Sequence, residues 1–183
     1  SACLVGSEMC IRDSGTGWQS GATLAAGRTL CALEQLRLGE TKPSPLLNNL
    51  MFGAFNRKFP DAKTENDWIC ADPAVVRAYT DDPLCGGSAT VGLAREMLRG
   101  IGMIEKKKNL AAMPKELSVL FIAGKSDPVG NMGKGVKRSA QAFRNVGMKS
   151  VELKLYDGRH EILNERNRGE VYDDVWRFLE KNL

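Results

Sequence analysis

The chain has 183 residues, 43% hydrophobic and 26% charged, the balance of one globular domain or one domain with a large insertion. No apolar run approaches the ~20 residues of a membrane helix, and a net charge of +4 with both signs interspersed is too mild for a nucleic-acid surface. A single histidine, His160, excludes sites that need several, and five cysteines without a C-x-x-C support neither a disulfide framework nor a zinc knuckle.

Residues 1–14, SACLVGSEMCIRDS, show no helical or strand period before the Ser14-Gly15 turn. Cys3 to Ser14 reads as one translated frame of a transposase sequencing adapter. The stretch is therefore set aside from fold reasoning, and a metagenomic gene model that has lost its natural N-terminal part is expected. A signal peptide cannot be assessed. The remaining cysteines, Cys31, Cys70 and Cys85, suit free thiols in a reducing cytoplasm.

Gly15–Gly39 opens with the turn GTGWQSG and continues as a helix through Leu24, Leu30, Leu33 and Leu36, with Gly39 as its stop. Lys42–Pro45 is a Pro-punctuated linker. Leu46–Phe59 is unusually apolar: Leu46, Leu47, Leu50, Met51, Phe52, Phe55 and Phe59. A polar loop, Asp61–Asp67, follows. Asp72-Pro73 has the form of an N-cap with Pro at the first helical position, opening a short helix to Tyr79. Ser88 is placed as the cap of another helix carrying Ala94, Met97, Leu98, Ile101 and Ile104. Lys106–Lys108 reads as a solvated basic face.

The character changes at Pro114. Leu117–Ala123, LSVLFIA, reads as a strand buried on both faces. Gly133–Val146 is helical, with Val136, Ala140, Phe143 and Val146 on one face. Val151–Leu155 alternates strictly, as a strand near a sheet edge would. Glu170–Leu183 is helical again, through Val171, Val175, Phe178 and Leu179. The last seventy residues thus predict a parallel β-α-β-α unit. The divisions are 1–14, adapter-like; 15–113, the end of a core strand and turn plus a helical region; and 114–183, the α/β segment.

Functional residues of open parallel sheets gather at the carboxyl ends of strands. Asp127 follows the first strand and His160 the second, 33 residues later. A carboxylate there can accept the imidazole Nδ1–H, fix the tautomer and stabilise the imidazolium. Leu117–Gly130 (LSVLFIAGKSDPVG) and Leu153–Glu165 (LKLYDGRHEILNE) resemble the acid and histidine blocks of α/β-hydrolases. The nearest group is that of monoacylglycerol lipases, lysophospholipases and serine aminopeptidases. Leu50–Phe59 and Asp72–Gly86 resemble that group's helical cap. The resemblance implies the C-terminal part of an α/β-hydrolase fold, a parallel sheet flanked by helices with an inserted helical cap. It implies Asp127 as triad acid, His160 as general base, and no metal or cofactor.

The nucleophile is missing: no G-x-S-x-G elbow occurs in the chain. Gly86-Gly-Ser88-Ala-Thr90 has no apolar strand before it. Gly124-Lys-Ser126-Asp-Pro128 has proline for the last glycine. Gly130–Gly135, GNMGKG, resembles a phosphate-cradling loop but fails both the P-loop and the dinucleotide spacing; it reads as a flexible turn and a loose helix start. The expected function is a fragment of a serine hydrolase cleaving carboxylic esters of a small-molecule or lipid substrate, a monoacylglycerol or lysophospholipid. Alternatives are a short-chain carboxylesterase, a peptidase of the same fold, or a non-catalytic nucleotide-binding or interaction module. Leu50, Met51 and Phe55 either line an acyl-binding face above His160 or pack inside the cap. The sequence leaves the oligomeric state open.

Overall fold

The computed structural model describes residues 10–182. Three parallel strands, β1 (Cys10–Ser14), β2 (Ser118–Gly124) and β3 (Val151–Tyr156), form a sheet in the order β1-β2-β3. Between β1 and β2 lie five helices: α1 (Gly21–Leu38), α2 (Pro45–Met51), α3 (Pro73–Asp81), α4 (Val91–Ile104) and α5 (Lys107–Ala111). Helix α6 (Lys134–Asn145) joins β2 to β3, and α7 (Arg168–Lys181) follows β3.

Strand β2 organises the core. Its side chains alternate between two apolar clusters because successive residues of a strand face opposite sides. Val119, Phe121 and Ala123 meet Val136, Ala140 and Phe143 of α6. Leu120 and Ile122 meet Val171, Val175 and Phe178 of α7. Residues Val119 to Ala123 are fully buried, as the unbroken apolar run predicts. A bond network ties α7 to β3: the Tyr156 hydroxyl donates to Asp174 at 2.8 Å, and Lys154 pairs with the same carboxylate at 2.7 Å. The Lys154 bond holds Asp174 below the usual carboxylate range, and burial pushes the Tyr156 hydroxyl up.

Strand β1 departs from the sequence reading, which set residues 10–14 aside. Cys10 pairs with Ser118 and Ser14 with Ile122 along the open edge of β2. Strand pairing is made by main-chain groups, so an extended segment can fill an edge without a strand-like pattern. Ile11 and Cys10 still reach the two clusters on opposite faces. The rest of the adapter-like stretch, residues 1–9, lies outside the described residues.

The helical region has its own core of Cys31, Leu47, Val91 and Ala94. Helix α1 starts on the Ser20 side chain and stops at Gly39, φ +81°, a left-handed geometry that suits glycine. Of its four expected leucines, Leu24 is buried, while Leu33 and Leu36 are 58% and 87% exposed. The buried stripe runs through Leu24, Cys31 and Glu34. The cap of α4 is Thr90, whose hydroxyl accepts from Leu93 N–H; Ser88 lies two residues early, exposed and outside the helix. Asp72 caps α3 as expected, accepting from Ala74 N–H ahead of Pro73.

Glu34 is the polar centre of the helical region. It takes two bonds from Arg37 at 2.8 Å and one from the buried Ser44 hydroxyl at 2.5 Å. Those bonds hold its carboxyl down at about 2, from an ordinary 4.5. A carboxyl depressed on folding stabilises the native state above its unfolded value and loses that contribution as pH falls through the folded one. Urea unfolding of the wild type and Glu34→Gln is therefore expected to show a stability gap at pH 6 that shrinks between about 4.5 and 2. A gap constant over that range would show that the ionised carboxylate contributes nothing.

Candidate active site

Gly124 ends β2 where another backbone crosses it. A Cβ here would lie 2.0 Å from Arg159 O and 2.4 Å from Gly158 O, so only glycine lets the loop after β3 lie over the strand end. Two bonds pin the crossing: Lys125 N–H to Tyr156 O at 2.8 Å and Ser126 N–H to Gly158 O at 3.0 Å. Asp127 then turns inward and is fully buried. Its Oδ1 accepts Val129 N–H at 2.8 Å, a local turn that aspartate favours.

His160 Nδ1 stands 3.1 Å from both Asp127 carboxylate oxygens. An ionised carboxylate only accepts, so this contact favours the tautomer in which a neutral ring is protonated at Nδ1 and has its lone pair at Nε2. The imidazole is 29% exposed and the carboxylate 0%. The carboxylate is thus shielded while the imidazole reaches the surface.

Two further neighbours fix the ring. Gly15, at φ +70°, comes so close that a Cβ would lie 2.8 Å from His160 Cε1 and 3.1 Å from Nδ1. The Trp68 ring lies 5.3 Å from the imidazole between centroids. Trp68 in turn meets Phe55 at 5.1 Å and Phe52 at 6.5 Å. The sequence carried a signal for each. Trp68 is a lone aromatic in a polar loop, ahead of the apolar pair Ile69-Cys70. Gly15 heads a glycine-rich turn directly after the parallel strand β1.

The three residues read as an acyl-binding face separate. Phe55 packs on Trp68, which also meets the His160 ring. Met51 packs against the cluster of Cys31, Leu47, Val91 and Ala94, and Leu50 is 59% exposed. Ser88 and Ser126 are both exposed. The Gly130–Gly135 loop is a tight turn, with Asn131, Met132 and Gly133 at φ +49°, +55° and +79°. Its Met132, Lys134 and Gly135 amides bond to Asp127, Asn131 and Gly130 carbonyls, so they are not offered to a phosphate. Among the described residues no group of three or more His, Cys, Asp or Glu is placed to hold a metal. No described helix is long and apolar enough to cross a membrane.

The parallel sheet covered by helices is a fold shared with solved structures. A carboxyl esterase from Bacillus coagulans, in complex with glycerol, superposes with a TM-score of 0.84 at 23% identity, over 94% of this chain and 56% of that one. A Paleococcus ferrophilus monoacylglycerol lipase gives 0.54 at 16% identity, over 86% and 65%. The fold is that of the α/β-hydrolases. The model of the serine aminopeptidase family, S33, matches residues 20–167, and the chain belongs to that family. It is 32% identical over 129 residues to the monoacylglycerol lipase of Mycolicibacterium smegmatis, a match covering 68% of this chain and 42% of that protein. The chain thus spans about half the length of such relatives.

The Gly15 contact gives a direct test. Gly15→Ala places a methyl group against the imidazole and forces a left-handed backbone onto an L-residue, at about 1–2 kcal/mol. The expected result is a modest drop in melting temperature with displaced His160 ring resonances. Unchanged resonances in a folded variant would contradict the close approach.

Proposed function

We propose that this chain carries the acid and the base of a serine hydrolase acting on carboxylic esters of monoacyl lipids, a monoacylglycerol or a lysophospholipid. The nucleophilic serine would lie outside this chain. The observation that carries the reading is the buried Asp127 carboxylate held 3.1 Å from His160 Nδ1. In that arrangement Nε2 takes the proton of the serine hydroxyl as its oxygen attacks the ester carbonyl carbon. The imidazolium formed is stabilised by Asp127. It then returns the proton to the departing alkoxide, and water repeats the sequence to release the fatty acid. The strand-to-helix elbow that holds such a serine has no counterpart in the 183 residues, which supports placing it elsewhere.

The lipid part of the reading rests on two supports. The relative that is 32% identical is a monoacylglycerol lipase, and Trp68 stands against the imidazole with Phe55 and Phe52 packed on it, an apolar aromatic group next to the ring. Each methylene buried on such a wall is worth about 0.8 kcal/mol. The described cysteines are all free thiols, which suits a cytoplasmic protein.

The chain by itself is expected to show no esterase turnover and no labelling by a fluorophosphonate probe. Stoichiometric labelling at Ser88 or Ser126 would overturn the placement of the nucleophile. In the enzyme that carries this chain behind its own elbow, His160→Ala should lower kcat on the order of 10⁶-fold, as loss of the base does in a triad enzyme. Phe55→Ala there should impair long-chain monoacyl esters far more than acetate esters. Equal loss on both chain lengths would remove the lipid assignment and leave a short-chain esterase.

A further inference from the structure

One buried ionisable group has no place in the proton transfer. Glu165 is 2% exposed, and it belongs to the loop after β3, five residues beyond His160. Carboxylates are almost never buried unless paired or hydrogen-bonded. Its Oε1 accepts two main-chain donors from different parts of the chain: Arg159 N–H at 2.7 Å and Ala71 N–H at 3.0 Å. Arg159 directly precedes His160, and Ala71 directly precedes the Asp72 cap of α3.

Three other bonds run between the same two segments. Arg159 Nη1 donates to Asp67 O at 2.5 Å, Glu161 N–H to Ile69 O at 2.8 Å, and Cys70 Sγ to Asn164 O at 3.7 Å. Each of these links the helical region to the histidine loop. Glu165 also closes the loop on itself, bridging its far end back to the peptide in front of His160. The fit is tight: a Cβ on Gly158, at φ +157°, would lie 2.8 Å from Glu165 Cγ.

We infer that Glu165 is a positioning residue for His160. By holding the Arg159 and Ala71 amides on one carboxylate oxygen, it sets the ring's angle toward Asp127 and locks the histidine loop to segment 67–72 of the helical region. The Trp68 ring against His160 lies inside that locked segment. The aromatic wall and the base are therefore held in one frame, and a molecule pressing on the wall acts on the histidine loop as well. This inference rests on the reading of His160 as the proton carrier, and its test separates the two.

His160 is the only histidine, so ¹⁵N-histidine labelling of the whole chain, without a histidine tag, gives one pair of ring nitrogens. At a pH where the ring is neutral, the wild type should show a single tautomer with the proton on Nδ1. Glu165→Ala and Glu165→Asp are expected to give a mixture of tautomers, the first by removing the acceptor and the second by shortening its reach. The Arg159 and Ala71 amides should lose exchange protection together. Glu165→Gln keeps an acceptor oxygen at the same reach and should restore the wild-type pattern. Should the alanine variant not fold, the aspartate variant decides. A folded aspartate or alanine variant with the wild-type tautomer, or a folded glutamine variant without it, overturns the positioning role. Asp127→Asn is the control: it should alter the Nδ1 signal, because a neutral amide oxygen accepts more weakly than a carboxylate. If Asp127→Asn changes nothing, the reading of the pair fails; if it does and the Glu165 variants do not, only the positioning role fails.

Discussion

The constraint on which the site depends is the burial of β2 on both faces. A strand packed by α6 on one side and α7 on the other has one place where its chain can emerge toward a ligand, its carboxyl end. Gly124 stands at that end, and the absence of a side chain there lets the loop from β3 cross within contact of it. Two loops from neighbouring parallel strands are so brought to one edge, and a third, from β1, closes on them at Gly15. The site results from strand order and one missing Cβ more than from any local motif.

The helical region is attached to this edge differently. Its own core of Cys31, Leu47, Val91 and Ala94 and the Glu34 bonds make α1, α2 and α4 a unit. Its hydrogen bonds to the histidine loop run through residues 67–71 and involve main-chain groups, with Arg159 also lying over the Phe59 ring. Burial there pushes the Cys70 thiol up to about 11, which keeps it neutral beside the Glu165 carboxylate. Near the imidazole the apolar residues are aromatic. Rings of this kind pack with few rotamers to lose and so form a wall of defined position.

What was legible in the sequence follows from how each signal is generated. Leu117–Ala123 and Val151–Leu155 were readable because burial on two faces, or alternation on one, writes itself into residue type. Asp127 and His160 were readable because they fall just after those strands. Other features depend on partners distant in sequence and leave no local mark. Leu33 and Leu36 have helical spacing but face solvent, because α4 covers the stripe through Cys31 instead. Met51 and Phe55 are four residues apart in one apolar run, yet one turns into the helical core and the other toward Trp68. Strand β1 leaves little mark in the sequence because its pairing is main-chain. Glu165 looked like any charged residue near a helix start.

Asp127 and His160 differ sharply in exposure. Asp127 has no exposure and His160 has 29%, so water screens the imidazole from one side only and the carboxylate hardly at all. A buried carboxylate left without partners costs several kcal/mol. Asp127 meets that demand with the Val129 amide and the His160 Nδ1–H. The same demand that fixes the tautomer therefore draws the histidine loop onto the end of β2. A charge placed on the ring would be met at 3.1 Å by a carboxylate that solvent does not attenuate. The packing of the histidine loop and the orientation of the ring thus come from one interaction. The Glu165 contacts refine its angle, since a ring held at one end by Asp127 and pressed by Gly15 and Trp68 has only the peptide before it left to fix.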